Sequence, residues 1–405
     1  MYSHINKFLV IFFLIVSLLY AETINVTTYN ILNFPEAFGT QRIDDFQIII
    51  DDIKPDILVV QEMQSQAGVD LFLNSVMNNL NNLFAAVPFH DGPDTDNALF
   101  YRADKISFIS ATYLSTPNRD IAEYKLRIIE SQIIFYIFSV HFKSSQSDSL
   151  IRLQEATILR NYLNSLASGT DFIVVGDFNI YYSDEPAYHK LTDSFANNNG
   201  RSYDPINAYG YWHENNNFAY THTQSTRTEQ LNDGGASGGL DDRFDIILCS
   251  QSFFDSSGLY ILKDSYTMYG NDGNHFDVAI NYGSNQSVPA DVADALYFAS
   301  DHLPVFVNIT DDFGYSVSEE EVVKIWPNPM ETVAQIRFPW FDDFQNAKIT
   351  VTNILGQRVY DAETQSPIGL TLRKEMLRVG IYFVHVKIET RYNKHNFHTK
   401  LAVVK

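Results

Sequence analysis

The sequence predicts an α/β fold of two packed mixed β-sheets flanked by helices, a four-layer α/β sandwich, followed by a small C-terminal β-sandwich. Between residues 22 and 309, many short β-branched runs alternate with a few amphipathic helical segments. Hydrophobic residues make up 45% of the 405 residues and charged residues 19%, so the chain can bury a full core. The net charge changes sign near residue 322, which is typical of a domain boundary.

The charge is concentrated in the longer segment. From Ile325 onward there are 11 basic and 7 acidic residues, whereas the preceding segment has 17 basic and 42 acidic residues, a net charge of −25. We predict one domain over residues 22–310, an acidic linker over 311–321 and a C-terminal domain over 322–405. Because this segment has no overall positive charge, it is not expected to bind nucleic acid or anionic membranes by bulk electrostatic attraction. An enzyme that binds phosphates through a metal ion is not excluded.

The first 21 residues have the three-part pattern of a secretory signal peptide. A short, weakly basic start precedes an apolar run over 8–20, and Ala21 follows. The run is too short to span a bilayer comfortably, so we expect a secreted or cell-surface protein without a transmembrane segment in its mature form. An uncleaved anchor is the alternative, because Leu19 is not the small residue expected before a cleavage site. The single cysteine, Cys249, excludes a disulfide framework and a cysteine-based zinc site.

The first elements form a strand–helix–strand unit. Residues 23–30 alternate as a strand, 43–53 have helical spacing that Pro55 ends, and 56–60 form a short buried strand. Further strands are expected at 98–101, 106–114, 133–142, 172–175, 244–248 and 303–309. A second helix is expected over 150–166. The stretch 196–241 has little periodicity, and so long a loop is usually functional or disordered.

Polar residues stand where the predicted strands stop. They are Asn30, Glu62, His141, Asp177, Asn179, Asp245, Asp301 and His302. Each alone is readily explained as a turn residue, a cap or a core histidine. Because ligands bind outside strand ends in α/β sheets, one shared edge could collect them all. The oxygen donors suit Mg²⁺ or Ca²⁺, the histidines suit proton transfer, and an aspartate can fix a histidine tautomer. The set predicts metal-assisted phosphoester hydrolysis.

The ordered set resembles the endonuclease/exonuclease/phosphatase superfamily, including its deoxyribonuclease branch. The motifs are Thr28-Tyr29-Asn30, Gln61-Glu62, Phe100-Tyr101-Arg102, Val140-His141-Phe142, Gly176-Asp177-Phe178-Asn179, Arg243-Phe244-Asp245 and Ser300-Asp301-His302. The resemblance implies an α/β fold of two packed sheets and phosphoester hydrolysis with Mg²⁺, or with Mn²⁺ or Ca²⁺.

The resemblance also implies roles for these residues. Glu62 is the expected principal metal ligand, and the rest of the metal and phosphate shell is Asn30, Asp177, Asn179 and Asp301. His302, paired with Asp245, is the expected base that activates water. His141 is expected to bind phosphate or protonate the leaving group. A carboxylate that orients His141 is expected as well, and Asp94 and Asp96 are the alternatives.

Substrate contacts are expected from four further residues. Arg119 is the predicted phosphate contact, with Arg102 and Arg127 as competitors. His222 and Arg227 lie in a polar stretch suited to backbone or sugar contact, with a mobile surface insertion as the alternative. The fourth is Arg243, next to the predicted tautomer-fixing aspartate.

The C-terminal segment reads as a small β-sandwich with strands expected at 333–338, 348–352, 358–360, 380–387 and 397–404. Its motifs Trp326-Pro327-Asn328-Pro329, Asn353–Gln357 and Gly380–Phe383, with the basic terminus, resemble the sorting domain of type IX secretion. This resemblance implies export across the outer membrane of a Bacteroidota-type bacterium by the type IX machinery.

The sequence therefore predicts a secreted, divalent-metal-dependent nuclease. The alternative within enzymes is a phosphatase or a sphingomyelinase-like lipid-headgroup phosphodiesterase, for which residues 209–212 are a candidate membrane contact. A non-catalytic surface binding module is disfavoured, because the metal ligands and both histidines are present. The sequence does not predict an oligomeric state.

Overall fold

The fold is described from a computed structural model. It covers residues 22–254, 258–262, 264–311 and 323–404, the last range with gaps at 327, 331–332, 339–343, 366–368, 375–376 and 391–393. The predicted signal peptide and residues 312–321 of the predicted linker lie outside the described residues. The predicted domain limits stay predictions.

The described part of the long segment consists of short strands and helices. Its strands are β1 (Thr23–Phe34), β2 (Ile57–Met63), β3 (Phe84–Ala86), β4 (Asp96–Arg102), β5 (Ile106–Leu114), β6 (Ile121–Ile128), β7 (Ile134–His141), β8 (Phe172–Asp177), β9 (Ser202–Tyr203), β10 (Asp245–Ser250), β11 (Tyr260–Ile261), β12 (Thr267–Met268) and β13 (Val305–Thr310). Its α-helices are α1 (Ile43–Ile53), α2 (Gln66–Phe72), α3 (Ser149–Leu163), α4 (Pro186–Thr192) and α5 (Ala290–Ala299). A π-helical turn (Leu73–Met77) continues α2, and 3₁₀ turns occur at Gly39–Gln41, Gln146–Asp148, Asn216–Thr221 and Gln251–Phe254.

The first sheet has the strand order β11-β13-β1-β2-β4-β3, with β12 also paired to β13. Strands β1 and β2 are parallel, whereas β13 and β4 run antiparallel to them. The register of β2 shifts against β1 after Gln61 and against β4 after Val60, which is a β-bulge. A bulge re-aims a side chain, and here it lies at Glu62.

The second sheet has the order β5-β6-β7-β8-β10-β9. Strands β7 and β8 are parallel, and His141 lies opposite Asp177 in their register. Gly176 permits this pairing, because its φ is 132° and a Cβ there would lie 2.0 Å from the Val140 carbonyl oxygen. A side chain at this position would force the two strands apart.

The apolar clusters define four layers. The inner faces of the two sheets bury one cluster between them, which includes Val26, Val59, Ile137 and Ile247. Helices α1 and α5 cover the outer face of the first sheet, and α3 and α4 cover that of the second. Because period-2 strands and amphipathic helices can bury their apolar faces only in such layers, the predicted fold class is confirmed.

Several elements were not predicted. Strand β6 alternates apolar and charged residues, as in Ala122-Glu123-Tyr124-Lys125-Leu126, so its period-2 signal is present in the sequence. Helix α4, which follows Asp177 in the sequence, has only seven residues, so its helical periodicity is too short to be recognised. Helix α5 begins after Pro289, whose extended backbone leads into the first turn.

The C-terminal part also has the predicted all-β character. Its strands are β14 (Lys324–Trp326), β15 (Val333–Arg337), β16 (Phe344–Asn353), β17 (Arg358–Thr364), β18 (Gly369–Arg373), β19 (Gly380–Thr390) and β20 (Lys394–Val403). They form a three-stranded sheet, β14-β15-β18, and a four-stranded sheet, β17-β16-β19-β20, over one apolar core. None of the helices in the described residues has the length and apolar character needed to cross a bilayer.

Candidate active site

The predicted site residues meet at one edge of the two sheets. Asn30 and Glu62 end the regular parts of β1 and β2, and His141 and Asp177 end β7 and β8. Asp245 begins the antiparallel strand β10, and His302 precedes β13, so both join the same edge. The strand order therefore brings together residues that are up to 272 positions apart in the sequence.

Asn30 connects two carboxylates at the centre of this edge. Its fully buried Nδ2 donates to Glu62 Oε1 at 3.0 Å and to Asp177 Oδ2 at 3.2 Å. Glu62 Oε2 accepts the Asn33 backbone N–H at 2.9 Å. The amide therefore fixes the separation of the two acids.

Two of these residues have left-handed backbone conformations. Glu62 has φ 66° and Asn179 has φ 50°. Such conformations cost on the order of 1–3 kcal/mol for residues other than glycine, and they are concentrated at functional sites. Asn179 is held by its N–H donating to Asp177 Oδ1 at 3.0 Å and by its amide donating to the Phe142 carbonyl at 3.2 Å.

His302 and Asp245 form a buried pair. His302 Nδ1 and Asp245 Oδ2 are 2.7 Å apart, which directs the other imidazole nitrogen, Nε2, toward the shared edge. That Nε2 is 3.8 Å from Asp177 Oδ2 and 3.2 Å from the side-chain amide nitrogen of Gln224. The pair has the geometry with which a carboxylate orients a histidine for proton transfer.

His141 lies on the other side of Asp177. Its Nε2 is 3.4 Å from Asp177 Oδ2 and 3.8 Å from Glu62 Oε1. Its buried Nδ1 has no hydrogen-bond partner among the described residues. Asp94 and Asp96, the predicted alternatives for a carboxylate that orients His141, contact Arg119 and the Gly92 backbone N–H instead.

The electrostatics separate the two histidines. Burial lowers the pKa of His141 well below its usual value, and the nearby charges of Arg119 and His302 lower it further. Burial also disfavours the charged form of His302, but the Asp245 carboxylate outweighs this and raises its pKa well above the usual value. His141 is thus the neutral imidazole and His302 the one that holds a proton more tightly.

Two carboxyl groups of the site, those of Glu62 and Asp177, have raised pKa values. Burial raises the pKa of Glu62, and Asp301 raises it further. Burial raises the pKa of Asp177 to about 7, with smaller contributions from Asp245 and Glu62 that the His302 charge opposes. Asp301 Oδ2 accepts the Ala236 N–H at 2.6 Å, while its buried Oδ1 has no partner in the described part of the chain.

This donor set fits a hard divalent cation. Such ions take carboxylate and amide oxygens together with water and substrate oxygens, and Glu62, Asp301 and Asn30 are the residues that could hold one here. An added cation would relieve the repulsion that raises the pKa of Glu62. No group of three or more His, Cys, Asp or Glu side chains that could hold a metal ion is found among the described residues.

Arg119 is the predicted phosphate contact that lies at the site. Its Nη2 is 2.7 Å from Asp94 Oδ2, and its Nε and Nη1 are buried without a partner among the described residues. The competitors lie elsewhere. Arg102 pairs with Asp104 at the other end of β4, and Arg127 lies opposite Ile134, at the end of β7 remote from His141.

The structure replaces the predicted substrate role of Arg243 by a structural one. Its guanidinium is fully buried and makes two hydrogen bonds to Asp204, at 2.8 and 3.0 Å. It also lies 5.3 Å from the centre of the Trp212 ring. A guanidinium without exposed surface, already paired with a carboxylate, does not contact a substrate in this conformation.

His222 and Arg227 require the same correction. Both are fully buried. His222 Nε2 contacts the Trp212 carbonyl at 2.7 Å, and burial lowers the pKa of His222 to about 4. Arg227 donates to Asp233 Oδ2 at 2.5 Å. These side chains hold parts of the long loop over 196–241 to one another rather than presenting a surface to phosphates.

Other site residues were missed. Gln224 contacts the Nε2 of His302, and Ser300 Oγ donates to the Asn30 carbonyl at 2.7 Å and accepts the His302 N–H at 3.2 Å. Gln61 reaches the second sheet, because its Nε2 donates to Ser139 Oγ at 3.1 Å. Gln61 and Ser300 belong to motifs named above but were given no role, and Gln224 lies in the polar stretch between His222 and Arg227. Membership of these segments is the signal that could have identified them.

Comparisons with known proteins agree with this geometry. The sequence profile of the endonuclease/exonuclease/phosphatase family matches residues 27–302, and that of the secretion system C-terminal sorting domain matches residues 324–400. The chain belongs to the endonuclease/exonuclease/phosphatase family, whose members are phosphoester hydrolases, and it ends in a type IX sorting domain. That domain indicates export to the cell surface or secretion.

Similar solved structures cover the same part of the chain. An endonuclease/exonuclease/phosphatase family protein from Bacteroides thetaiotaomicron is 16% identical with a TM-score of 0.48, covering 72% of this chain and 99% of its own. The mannosyl-6-phosphatase of the same organism is 17% identical with a TM-score of 0.46, covering 71% and 99%. D. rerio TDP2 complexed with single-strand DNA product is 13% identical with a TM-score of 0.48, covering 71% and 98%. No curated protein matches the sequence.

Proposed function

We propose that the protein is an exported, divalent-metal-dependent phosphodiesterase that hydrolyses nucleic-acid phosphodiester bonds. The observation that carries the proposal is the convergence of the His302–Asp245 pair, His141 and Asp177 within 4 Å contacts at one sheet edge. Paired histidines beside buried oxygen donors supply both proton transfer and charge stabilisation, which phosphoester hydrolysis requires.

The chain's own residues divide the work. Glu62, with Asn30, Asp177, Asn179 and Asp301, would hold Mg²⁺, Mn²⁺ or Ca²⁺ and the scissile phosphate. When bound, the ion supplies positive charge that stabilises the phosphoryl oxygens.

The two histidines then have different tasks. His302 Nε2 takes the proton of the attacking water from its unprotonated state, which the charge of a bound cation would favour over the imidazolium. Asp245 keeps the proton on Nδ1 and stabilises the imidazolium that forms. The neutral His141 donates a hydrogen bond to the phosphate or the leaving oxygen.

The test is hydrolysis by the purified full chain with Mg²⁺, Mn²⁺, Ca²⁺ or EDTA. Supercoiled plasmid, RNA, a phosphate monoester and sphingomyelin vesicles are offered in parallel. Glu62→Gln is compared with Glu130→Gln, a matched control because Glu130 is exposed in the turn before β7, at the opposite end from His141. Isothermal titration of the metal is measured on the same three proteins.

We expect the wild type to cut nucleic acid only when metal is present. Metal affinity and cleavage should both fall in Glu62→Gln and both persist in Glu130→Gln. Hydrolysis of the monoester or of sphingomyelin alone would keep the chemistry and replace the substrate. Binding of these substrates without hydrolysis of any would overturn the enzymatic proposal in favour of a binding module.

A further inference from the structure

An exposed aromatic surface lies beside the site. Two segments, residues 181–183 and 209–213, pair with each other, and we name them the aromatic ledge. The rings of Tyr182 and Tyr211 are stacked in parallel, with centroids 4.5 Å apart and an interplanar angle of 6°. Tyr211 is 52% exposed and Tyr209 is 38% exposed.

The ledge is firmly built. The Ser183 N–H donates to the Gly210 carbonyl and the His213 N–H donates to the Tyr181 carbonyl, at 2.9 and 3.2 Å. The Gly210 N–H donates to Ser183 Oγ at 2.9 Å. The buried Trp212 ties the second segment down, because its Nε1 donates to the Ile180 carbonyl at 2.7 Å. The exposed rings are therefore held in place before any ligand arrives.

The ledge continues directly from the site. Tyr182 follows Asn179 by three residues, so their Cα atoms lie within about 11 Å of each other. His213, partly exposed, is held by Asp242 at 2.8 Å and packs against the edge of Tyr181. The backbone N–H of Gln224, whose side chain contacts His302, donates to the Asp242 carbonyl at 3.1 Å. The ledge is therefore close enough to the site for a substrate that extends beyond the scissile group to reach it.

The charges around the site restrict how a substrate is held. The predicted contacts Arg243, His222 and Arg227 are buried, and the segment before residue 325 has a net charge of −25. Multiple phosphate contacts would require exposed cations, which these residues do not provide. Stacking of an uncharged base on a tyrosine needs none.

We propose that the aromatic ledge binds an unpaired nucleobase next to the scissile phosphate, so that the substrate is single-stranded nucleic acid recognised by stacking more than by charge. This inference rests on the proposed function. A base can continue the Tyr182–Tyr211 stack only if it is not already stacked within a duplex. The alternative occupant, a lipid bilayer, is disfavoured because Trp212 is buried and the tyrosines lie against each other rather than pointing outward singly.

The test uses the full chain with the metal that supports cleavage. The substrates are single-stranded DNA and RNA oligonucleotides and the same strands with abasic sites throughout. Tyr211→Ala is compared with Tyr211→Trp, which keeps a stacking surface. Phe254→Ala is the control, because Phe254 is 43% exposed and follows the end of β10 opposite Asp245.

We expect Tyr211→Ala to raise KM for strands with bases about tenfold, with kcat within twofold, and to leave KM for abasic strands unchanged. Tyr211→Trp and Phe254→Ala should resemble the wild type. The slope of log KM against log salt concentration should be shallow, about 2 or less, since few phosphates are contacted.

The outcomes separate the two proposals. Suppose that the wild type cleaves nucleic acid. If Tyr211→Ala then has a normal KM, or raises KM for abasic strands as much as for strands with bases, the ledge proposal is wrong and the proposed function stands. A steep salt slope would also overturn it. If the wild type cleaves only sphingomyelin vesicles and Tyr211→Ala weakens vesicle binding, the ledge is a membrane contact and the nuclease assignment fails as well.

Discussion

Breaking the buried Arg243–Asp204 pair should lower the free energy of unfolding of the domain without changing catalysis by the folded protein. Arg243 and Asp204 share two hydrogen bonds, and Asp204 also accepts from the Tyr188 hydroxyl at 3.0 Å. Removing one partner of a buried pair leaves an uncompensated charge or unsatisfied donors and costs about 3–5 kcal/mol. At about 2–4 °C per kcal/mol for a domain of this size, the transition temperature should fall by about 6–20 °C.

The assay is calorimetric unfolding of the full chain carrying Asp204→Asn or Arg243→Met. Asp104→Asn is the matched control, because Asp104 pairs with Arg102 at the surface, where such pairs contribute at most about 1 kcal/mol. The double variant Arg243→Met with Asp204→Asn should be less destabilised than the sum of the single variants, since neither charge is then left alone.

The reasoning fails if Arg243→Met keeps the wild-type transition temperature while KM rises. That result would mean that the guanidinium leaves Asp204 to contact substrate. Unchanged kcat/KM below the transition, together with a lowered transition temperature, is the result that burial requires.

Three further predictions test the site and its supports. His302→Gln and Asp245→Asn should each lower kcat by about 10²- to 10⁴-fold with smaller changes in KM, since both remove general-base catalysis. Steady-state kinetics measure both constants, and a rise in KM with unchanged kcat would contradict the prediction. Gly176→Ala should destabilise the domain more than Gly169→Ala. Both glycines have positive φ, but only a Cβ at position 176 would collide with neighbouring backbone atoms. Thermal unfolding of the two variants measures the difference. Because the pKa of His222 is lowered from 6.5 to about 4 in the folded state, the unfolded state binds its proton first as the pH falls. Stability should therefore decline by about 3 kcal/mol between pH 6.5 and 4, and urea denaturation of His222→Gln should show a decline smaller by that amount.

The meeting of the site residues at one sheet edge could be predicted because strand topology assembles it. Asn30, Glu62 and Asp177 each end an apolar run, and parallel strands deliver their carboxyl ends to the same side. The prediction needed no knowledge of side-chain packing. Gly176 and the positive φ of Glu62 refine the geometry, but neither changes which residues meet.

The long loop could not be predicted in the same way. A stretch rich in Asn, Gly, Thr and Tyr is expected to be exposed, yet the structure buries Arg243, Arg227 and His222. Their partners, Asp204, Asp233 and the Trp212 carbonyl, are residues of that same polar stretch, where no periodic pattern marks a core. Only the fold reveals that these charges satisfy one another.

This difference explains why the chemistry was easier to predict than the substrate. The residues proposed to act on the phosphate are placed by sheet order, which is encoded in repeated apolar runs. Residues that select the rest of the substrate lie on loops, whose conformation depends on a few buried polar contacts. Once the buried arginines are assigned to those contacts, two candidates are left for substrate recognition. They are Arg119, whose Nε and Nη1 have no partner among the described residues, and the Tyr182–Tyr211 stack. If the substrate is nucleic acid, as we propose, recognition by stacking would let an acidic protein act on a polyanion, because a base presents no charge to repel.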